Sequence, residues 1–443
     1  MKYRTRRVIW LTLFALAVLA PLLIMVLAPR PAGRQFWRDA AVALGFLGLG
    51  LMGTQFIPAV RLPCLTDVYN LDTLYNVHHN LTRAAFYLVL AHPIILLLQN
   101  PFNFVAFNLL GAPWELRAGV LAFLLMLLIV ATSVWRQWLK LSYEAWRILH
   151  DLMAVGVIGL ALYHIFKVDY YTSSPIQRWL WILYGALWVA MILYIRVITP
   201  VILLRKPWRI ADIIEERGNT WTLVLEPEGH AGMEFRAGQA AWLTIGESPF
   251  GIHEHPFSFS SSAEHPGRLE FAIRELGDFT SRISEFSKGT AVYVDGPYGT
   301  FDLTHHQASG YVFIAGGIGS APIMSMLRTL AARGDERPLR FFYGNRTWDT
   351  ITFREELAEL EKELNLEVIH VLENPPEGWE GEIGFITKEV LARHALKGCP
   401  KCVCFICGPL PMIRFVSGQL EQLAAAEGMT ICHERHAEQY EMA

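Results

Sequence analysis

Cysteine and charge are both scarce in this chain. Only six cysteines occur in 443 residues, and five of them lie after residue 398, which argues against a disulfide-stapled secreted scaffold. Asp, Glu, Lys and Arg together make up 18% of the residues, and the formal net charge is −3. No basic stripe interleaves with aromatics, so nothing points to a nucleic-acid partner. No Ser/His/Asp triad, no acid–base pair of carboxylates and no P-loop competes for the role of active centre. Cys399, Cys402, Cys404 and Cys407 form two C-x-x-C pairs, but only Val403 separates them. A zinc ribbon needs a long connector there. The stretch alternates into an apolar strand, so buried free thiols are expected, and these suit a reducing cytoplasm.

What is abundant is apolar sequence, and it is concentrated in the first half. A hydrocarbon core about 30 Å thick needs roughly 20 apolar residues in a helix. Six runs qualify: Val8–Ala28, Ala40–Val60, His78–Leu98, Ala118–Trp135, Leu149–Phe166 and Trp179–Ile198. The first has a basic leader, yet its apolar core is longer than that of a signal peptide, which makes it an anchor. Lys2, Arg4, Arg6, Arg7, Arg61, Arg136, Lys140, Arg147, Arg205, Lys206 and Arg209 fall on one side, with fewer basic residues on the other. The positive-inside rule therefore predicts a cytoplasmic N-terminus and, after six spans, a cytoplasmic C-terminal half. The absence of an organellar transit signal points to a bacterial inner membrane. Three domains are expected: 1–204 in the membrane, then 205–305 and 306–443 as soluble modules.

Ionisable side chains at membrane depth are costly and usually functional. The third span carries His78 and His92, and the fifth carries His150 and His164; each pair is fourteen residues apart. At about 100° per residue, fourteen residues return to within roughly 40° of the same helix face and rise roughly 21 Å. Each helix thus offers two imidazoles on one face, and His78 would meet His150 while His92 meets His164. Neutral imidazole is a good axial ligand for haem iron, and two such levels make an electron wire across the lipid. Four polar histidines satisfied by neighbouring helices is the plainer alternative. It suits a lone histidine better than two pairs with one spacing. The run His78-His79-Asn80-Leu81-Thr82, with His92, His150 and His164, resembles the transmembrane domain of the ferric reductase/NADPH oxidase family. That resemblance implies a six-helix bundle with two b-type haems, each held by one histidine from the third helix and one from the fifth. Thr82 stands where the family commonly has Gly.

Beyond Pro207, short apolar runs such as Thr220–Leu225, Ala241–Ile245, Leu269–Arg274 and Ala291–Val294 alternate with Gly and Pro, as in a small antiparallel barrel. Within it lie His255-Pro256-Phe257-Ser258 and Arg274-Glu275-Leu276-Gly277-Asp278-Phe279-Thr280. The first puts an aromatic beside hydroxyls, suited to a flat ring with a polar edge. The second reads either as a pyrophosphate seat or as an ordinary helix cap, and the two are compatible. The pattern then becomes α/β. Tyr311–Ala315 reads as a buried strand, Gly316-Gly317-Ile318-Gly319 as a glycine turn, and Ile323–Arg333 as a helix; this is the context in which a dinucleotide pyrophosphate meets backbone N–H groups. Further strands are expected at Leu339–Tyr343, Glu367–Leu372 and Val403–Ile406, the last ending at Cys407-Gly408-Pro409.

This ordered set resembles the ferredoxin–NADP reductase superfamily. The resemblance implies that His255, Pro256, Phe257 and Ser258 contact the FAD ring and that Arg274, Gly277 and Thr280 contact its phosphates. Gly316, Gly317 and Gly319 would hold the NAD(P)H pyrophosphate. Cys407, Gly408 and Pro409 would line the nicotinamide, with Cys407 and Ser258 the candidate catalytic residues. Arg346 either meets a 2′-phosphate, favouring NADPH over NADH, or faces solvent. His436 and Tyr440 are the candidates to cover the flavin. The expected fold is thus an all-α six-helix bundle, an antiparallel FAD barrel and a Rossmann-like α/β NAD(P) domain. The expected activity is transfer of electrons from NAD(P)H through FAD and two haems to a small-molecule acceptor outside, dioxygen or a ferric chelate. The alternative is an electron-relay subunit serving an extracytoplasmic redox protein.

Overall fold

The computed structural model describes residues 3–27, 35–305, 308–394, 402–427 and 430–435. The chain divides into two compact units, Met1–Thr199 and Pro200–Ala443.

In the first unit, among the described residues, six helices are long and apolar enough to cross a membrane. They are Thr5–Leu27, Phe36–Val60, Thr73–Gln99, Trp114–Val134, Tyr143–Val168 and Pro175–Leu204, in register with the six apolar runs of the sequence. A helix satisfies its own backbone hydrogen bonds, which hydrocarbon cannot do for it. Leu11, Leu16, Leu152, Leu183 and Val189 all stand more than half exposed on the outside of these helices, as suits a lipid-solvated face. The second span packs mainly on the third and the fourth mainly on the fifth. Asp151 on the fifth span is ion-paired with Arg196 on the sixth, and Tyr171 donates a hydrogen bond to Asp39. Pairing of this kind is what lets charged groups persist at membrane depth.

The second unit holds two sheets. Strands β1 (Trp208–Glu216), β2 (Thr220–Pro227), β3 (Ala240–Ile245), β4 (His255–Ser258), β5 (Leu269–Arg274) and β6 (Ala291–Tyr298) form an antiparallel half-barrel in the order β4-β3-β6-β1-β2-β5. Its interior is filled by Trp208, Leu223, Leu243, Phe259 and Phe271, with Phe235 and Phe259 stacked at 4.1 Å. Strands β7 (Tyr311–Gly316), β8 (Leu339–Asn345), β9 (Leu366–Leu372), β10 (Glu382–Ile383), β11 (Val403–Gly408) and β12 (Thr430–Arg435) form a parallel sheet in the order β10-β9-β8-β7-β11-β12. Tyr311, Phe313, Phe341, Tyr343 and Phe405 pack on one face of it, and Val312, Ile314, Phe342, Cys404 and Ile406 on the other. A strand buried on both faces has no polar alternation, which is why β7 and β11 read as unbroken apolar runs. The two halves are clamped together by Arg328, which donates to Ser260 O, Glu270 and Glu356, and by Ser325, which donates to Ser261 O.

Cys404 and Cys407 are buried thiols, as the strand pattern predicts, but Cys402 is disulfide-bonded. This corrects the expectation for Cys402. Strand alternation tells which cysteines are buried and not which thiols the fold brings side by side.

His370 on β9 lies edge-on to Trp348 at 5.2 Å, and its buried Nδ1 has no hydrogen-bond partner among the described residues. Burial, reinforced by the Arg354 charge, pulls its pKa from 6.5 down to about 4. The unfolded chain therefore binds the proton more readily between those two values, so stability is complete above pH 6.5 and is lost as pH falls toward 4. The full effect is about 3 kcal/mol. Thermal unfolding of the flavin-loaded protein from pH 7 to pH 4, followed by flavin fluorescence, should show this slope, and His370→Phe should flatten it.

Candidate functional site

Two helices with matched starts carry the four membrane histidines. The third-span helix is capped by Asn70, whose Oδ1 accepts from Thr73 N at 3.0 Å. The fifth-span helix is capped by Ser142, whose Oγ accepts from Ala145 N at 3.2 Å. In each helix the first histidine comes eight residues after the cap and the second twenty-two residues after it. Equal counts from equal caps put the histidines at equal heights along the two helices. The Thr82 hydroxyl donates back to His78 O at 2.8 Å and so stays within its own helix.

His78 and His150 face each other, their ring centres 6.4 Å apart. Two imidazoles sharing one metal at bonds of about 2 Å, with roughly 1 Å more from nitrogen to ring centre, stand about 6 Å apart. Trp146, one turn before His150, packs against it at 5.3 Å. His92 and His164 line a single cavity of about 880 Å³, together with Val42, Phe46, Phe123 and Met126. That volume is in the range of cofactor pockets, roughly 300–1,000 Å³. His92 Nδ1 lies 2.9 Å from Ala41 O, and His164 Nδ1 lies 2.7 Å from Glu115 O. A carbonyl can only accept, so each Nδ1 carries the proton and each Nε2 keeps its lone pair, the tautomer a metal ligand needs. The residues therefore fit two bis-imidazole haem sites.

In the parallel sheet, β8 continues from β7 on one side, whereas β11 lies on the other side of β7. The strand order reverses between β7 and β11, and ligands of open α/β sheets bind in the crevice at such a point. Gly316, Gly317 and Gly319 sit at the end of β7, and Cys407, Gly408 and Pro409 at the end of β11. The helix Ser320–Ala332 starts directly after the glycine turn, which puts the positive end of its dipole beside the crevice. Arg274 reaches over from the half-barrel, its Nη1 lying 2.9 Å from where a side chain on Gly317 would begin. Cys407 is buried in the core of the sheet, and its carbonyl lies against Gly319 of the turn. Arg346 follows β8 and is exposed.

On the half-barrel, His255, Pro256, Phe257 and Ser258 lie on β4, and all four are only half buried. A strand left open along its length fits a seat for a flat ring. Phe279 stacks on His255 at 3.7 Å, so the imidazole has an aromatic neighbour on one face. Thr280 is buried, and its hydroxyl accepts from both Leu276 N and Gly277 N at 2.9 Å. That geometry shapes the loop beside Arg274.

Reading the sequence by motif missed Phe279 as a stacking partner and Met412, which packs on Gly316 and Gly408. It also missed the carbonyls of Ala41 and Glu115, because a backbone acceptor leaves no trace in residue type. His436 and Tyr440 lie outside the described residues.

Three family models match the chain in succession. "Ferric reductase like transmembrane component" covers residues 44–161, "FAD-binding domain" covers 209–302 and "Oxidoreductase NAD-binding domain" covers 313–418. Among curated relatives, the reductase component of propane 2-monooxygenase from Rhodococcus jostii is 33% identical over 202 residues, spanning 43% of this chain and 53% of that protein. NADH-cytochrome b5 reductase 1 from Cryptococcus neoformans is 35% identical over 170 residues, spanning 35% of this chain and 58% of that protein. The chain thus spans little more than half the length of these relatives. The cytochrome b5 reductase domain of Ulva prolifera nitrate reductase aligns with a TM-score of 0.45 at 19% identity, over 52% of this chain and 97% of that one.

Proposed function

We propose that this chain, which has the ferric reductase/NADPH oxidase architecture, moves electrons from NAD(P)H through FAD and two b-type haems to an acceptor across the membrane. The observation that carries this reading is the ladder of four imidazoles: two levels, each with one histidine from the third span and one from the fifth. When bound, FAD supplies the conversion from a two-electron hydride donor to one-electron carriers, and haem supplies the one-electron path through lipid. The protein contributes position. Gly316, Gly317, Gly319 and the start of the helix Ser320–Ala332 offer backbone N–H groups to the dinucleotide pyrophosphate. Gly408 and Pro409 border the nicotinamide, and Cys407 O packs against Gly319 to hold turn and strand together. Half-buried β4, from His255 to Ser258, seats the flavin ring, and Arg274 neutralises phosphate between the two halves.

His78 with His150, and His92 with His164, would hold one haem at each level through two imidazoles, which would leave the iron no free position. Such a site favours acceptors that take an electron without binding iron: dioxygen, giving superoxide, or a ferric chelate, giving ferrous iron. The positive-inside pattern of the loops supports entry of electrons from the cytoplasm. Purified wild-type protein with NADPH or NADH, assayed for oxygen consumption and ferric reduction side by side, tests the reading. We expect a reduced-minus-oxidised spectrum of low-spin haem, about two haems per chain, and turnover of one acceptor. No haem, or no turnover with either acceptor, overturns it.

A further inference from the structure

The outer histidines are held by one arrangement used twice. Ala41 and Gly45 are four residues apart on the second span, and Glu115 and Gly119 are four apart on the fourth. In a helix, residues i and i+4 share a face, and a Cβ at i+4 tilts back over residue i. A side chain at i+4 would therefore stand between carbonyl i and any group approaching from the neighbouring helix. With glycine there, the carbonyl keeps its helical bond and still offers a second lone pair to the imidazole. The fit is tight. A Cβ at Gly45 would lie 3.3 Å from His92 Cγ and Nδ1, and one at Gly119 would lie 2.8 Å from His164 Nδ1. Among the described residues the inner level has no equivalent tie at His150, whose buried Nδ1 finds no hydrogen-bond partner there.

We propose that Ala41 O with Gly45, and Glu115 O with Gly119, are paired seats that fix the tautomer and ring orientation of His92 and His164. They thereby set the affinity and reduction potential of the outer haem independently of the inner one. The inference rests on the haem reading above and goes beyond it, since it assigns positioning residues that touch neither iron nor substrate. An Nδ1–H donating to a carbonyl makes the imidazole a stronger donor to metal, which stabilises the ferric state. The two seats differ in tolerance. An alanine at 45 asks His92 to give by a few tenths of an ångström, whereas at 119 the ring has to move.

The test uses full-length protein in detergent, with haem per chain, the low-spin ferric resonance and a spectroelectrochemical titration as readouts. Gly45→Ala should keep both haems and raise the potential of one of them. Gly119→Ala should lose about half the haem and one low-spin signal. Gly48→Ala is the packing control: its Cβ would meet Val89 Cγ2 at 2.5 Å in the same helix contact without touching a histidine. It should cost stability, and because Val89 also lines the cavity, any change in potential should be smaller than that of Gly45→Ala. The proposal is overturned if Gly45→Ala and Gly119→Ala match wild type in haem content, signal and potential, or if Gly48→Ala shifts a potential as Gly45→Ala does. Should Gly119→Ala be recovered only as aggregate, the potential of Gly45→Ala decides alone. A wild-type protein without haem would instead overturn the parent reading.

Discussion

His92→Ala should leave the purified protein with about one haem per chain in place of two, and NAD(P)H-driven reduction of an external acceptor should fall to background. The expectation follows from coordination: one imidazole of the outer pair is removed while His78 and His150, 6.4 Å apart, are untouched. His92 also fixes the contact between the third span and the second through Ala41 O, so some loss of stability is expected as well. The remaining haem should still be reduced when NAD(P)H is added, because its ligands and the soluble half are intact. That combination, one haem reducible and no export, separates a severed wire from a misfolded protein. Retention of two full haems in His92→Ala would rule out the ligand assignment.

The second large effect is expected at Gly319. A Cβ there would stand 2.4 Å from Cys407 O and 2.8 Å from Gly408 N, both backbone atoms of β11 that cannot swing aside. Gly319→Ala must therefore push the glycine turn away from the end of β11, opening the crevice in which the nucleotide would sit. Overpacking of this kind costs about 1–3 kcal/mol, and a displacement near 1 Å at a positioned donor can slow reaction by about 100-fold. Stopped-flow reduction of the flavin by NAD(P)H should slow by roughly that factor. Reduction of the haems by dithionite should be unchanged, since it bypasses the nucleotide. If flavin reduction proceeds at the wild-type rate, the crevice between β7 and β11 is not where the dinucleotide lies.

The six spans, the two histidine columns and the alternation of strand, glycine turn and helix were all legible in the residues. Each is written as a local period: length of apolar run, fourteen-residue spacing, or apolar strand followed by glycine. The half-barrel was legible too, although β1 was not picked out as a strand and β4 was read first as a ring seat. Trp208–Glu216 mixes charged and apolar residues, and Pro256 interrupts His255–Ser258. The disulfide at Cys402, the stacking of Phe279 on His255 and the internal bonding of Thr280 could not be read in this way. Each depends on a neighbour distant in sequence or on a hydroxyl choosing between partners.

By itself, then, the order of residues determined which helices are long and apolar enough to cross a membrane, at what heights they carry histidines, and which glycine turn joins strand to helix, because periodicity acts within a single helix or strand. Only the tertiary structure decided what those side chains lean on. The carbonyls of Ala41 and Glu115 are identical to every other carbonyl in the sequence. They become imidazole partners because a neighbouring helix approaches where a glycine leaves room.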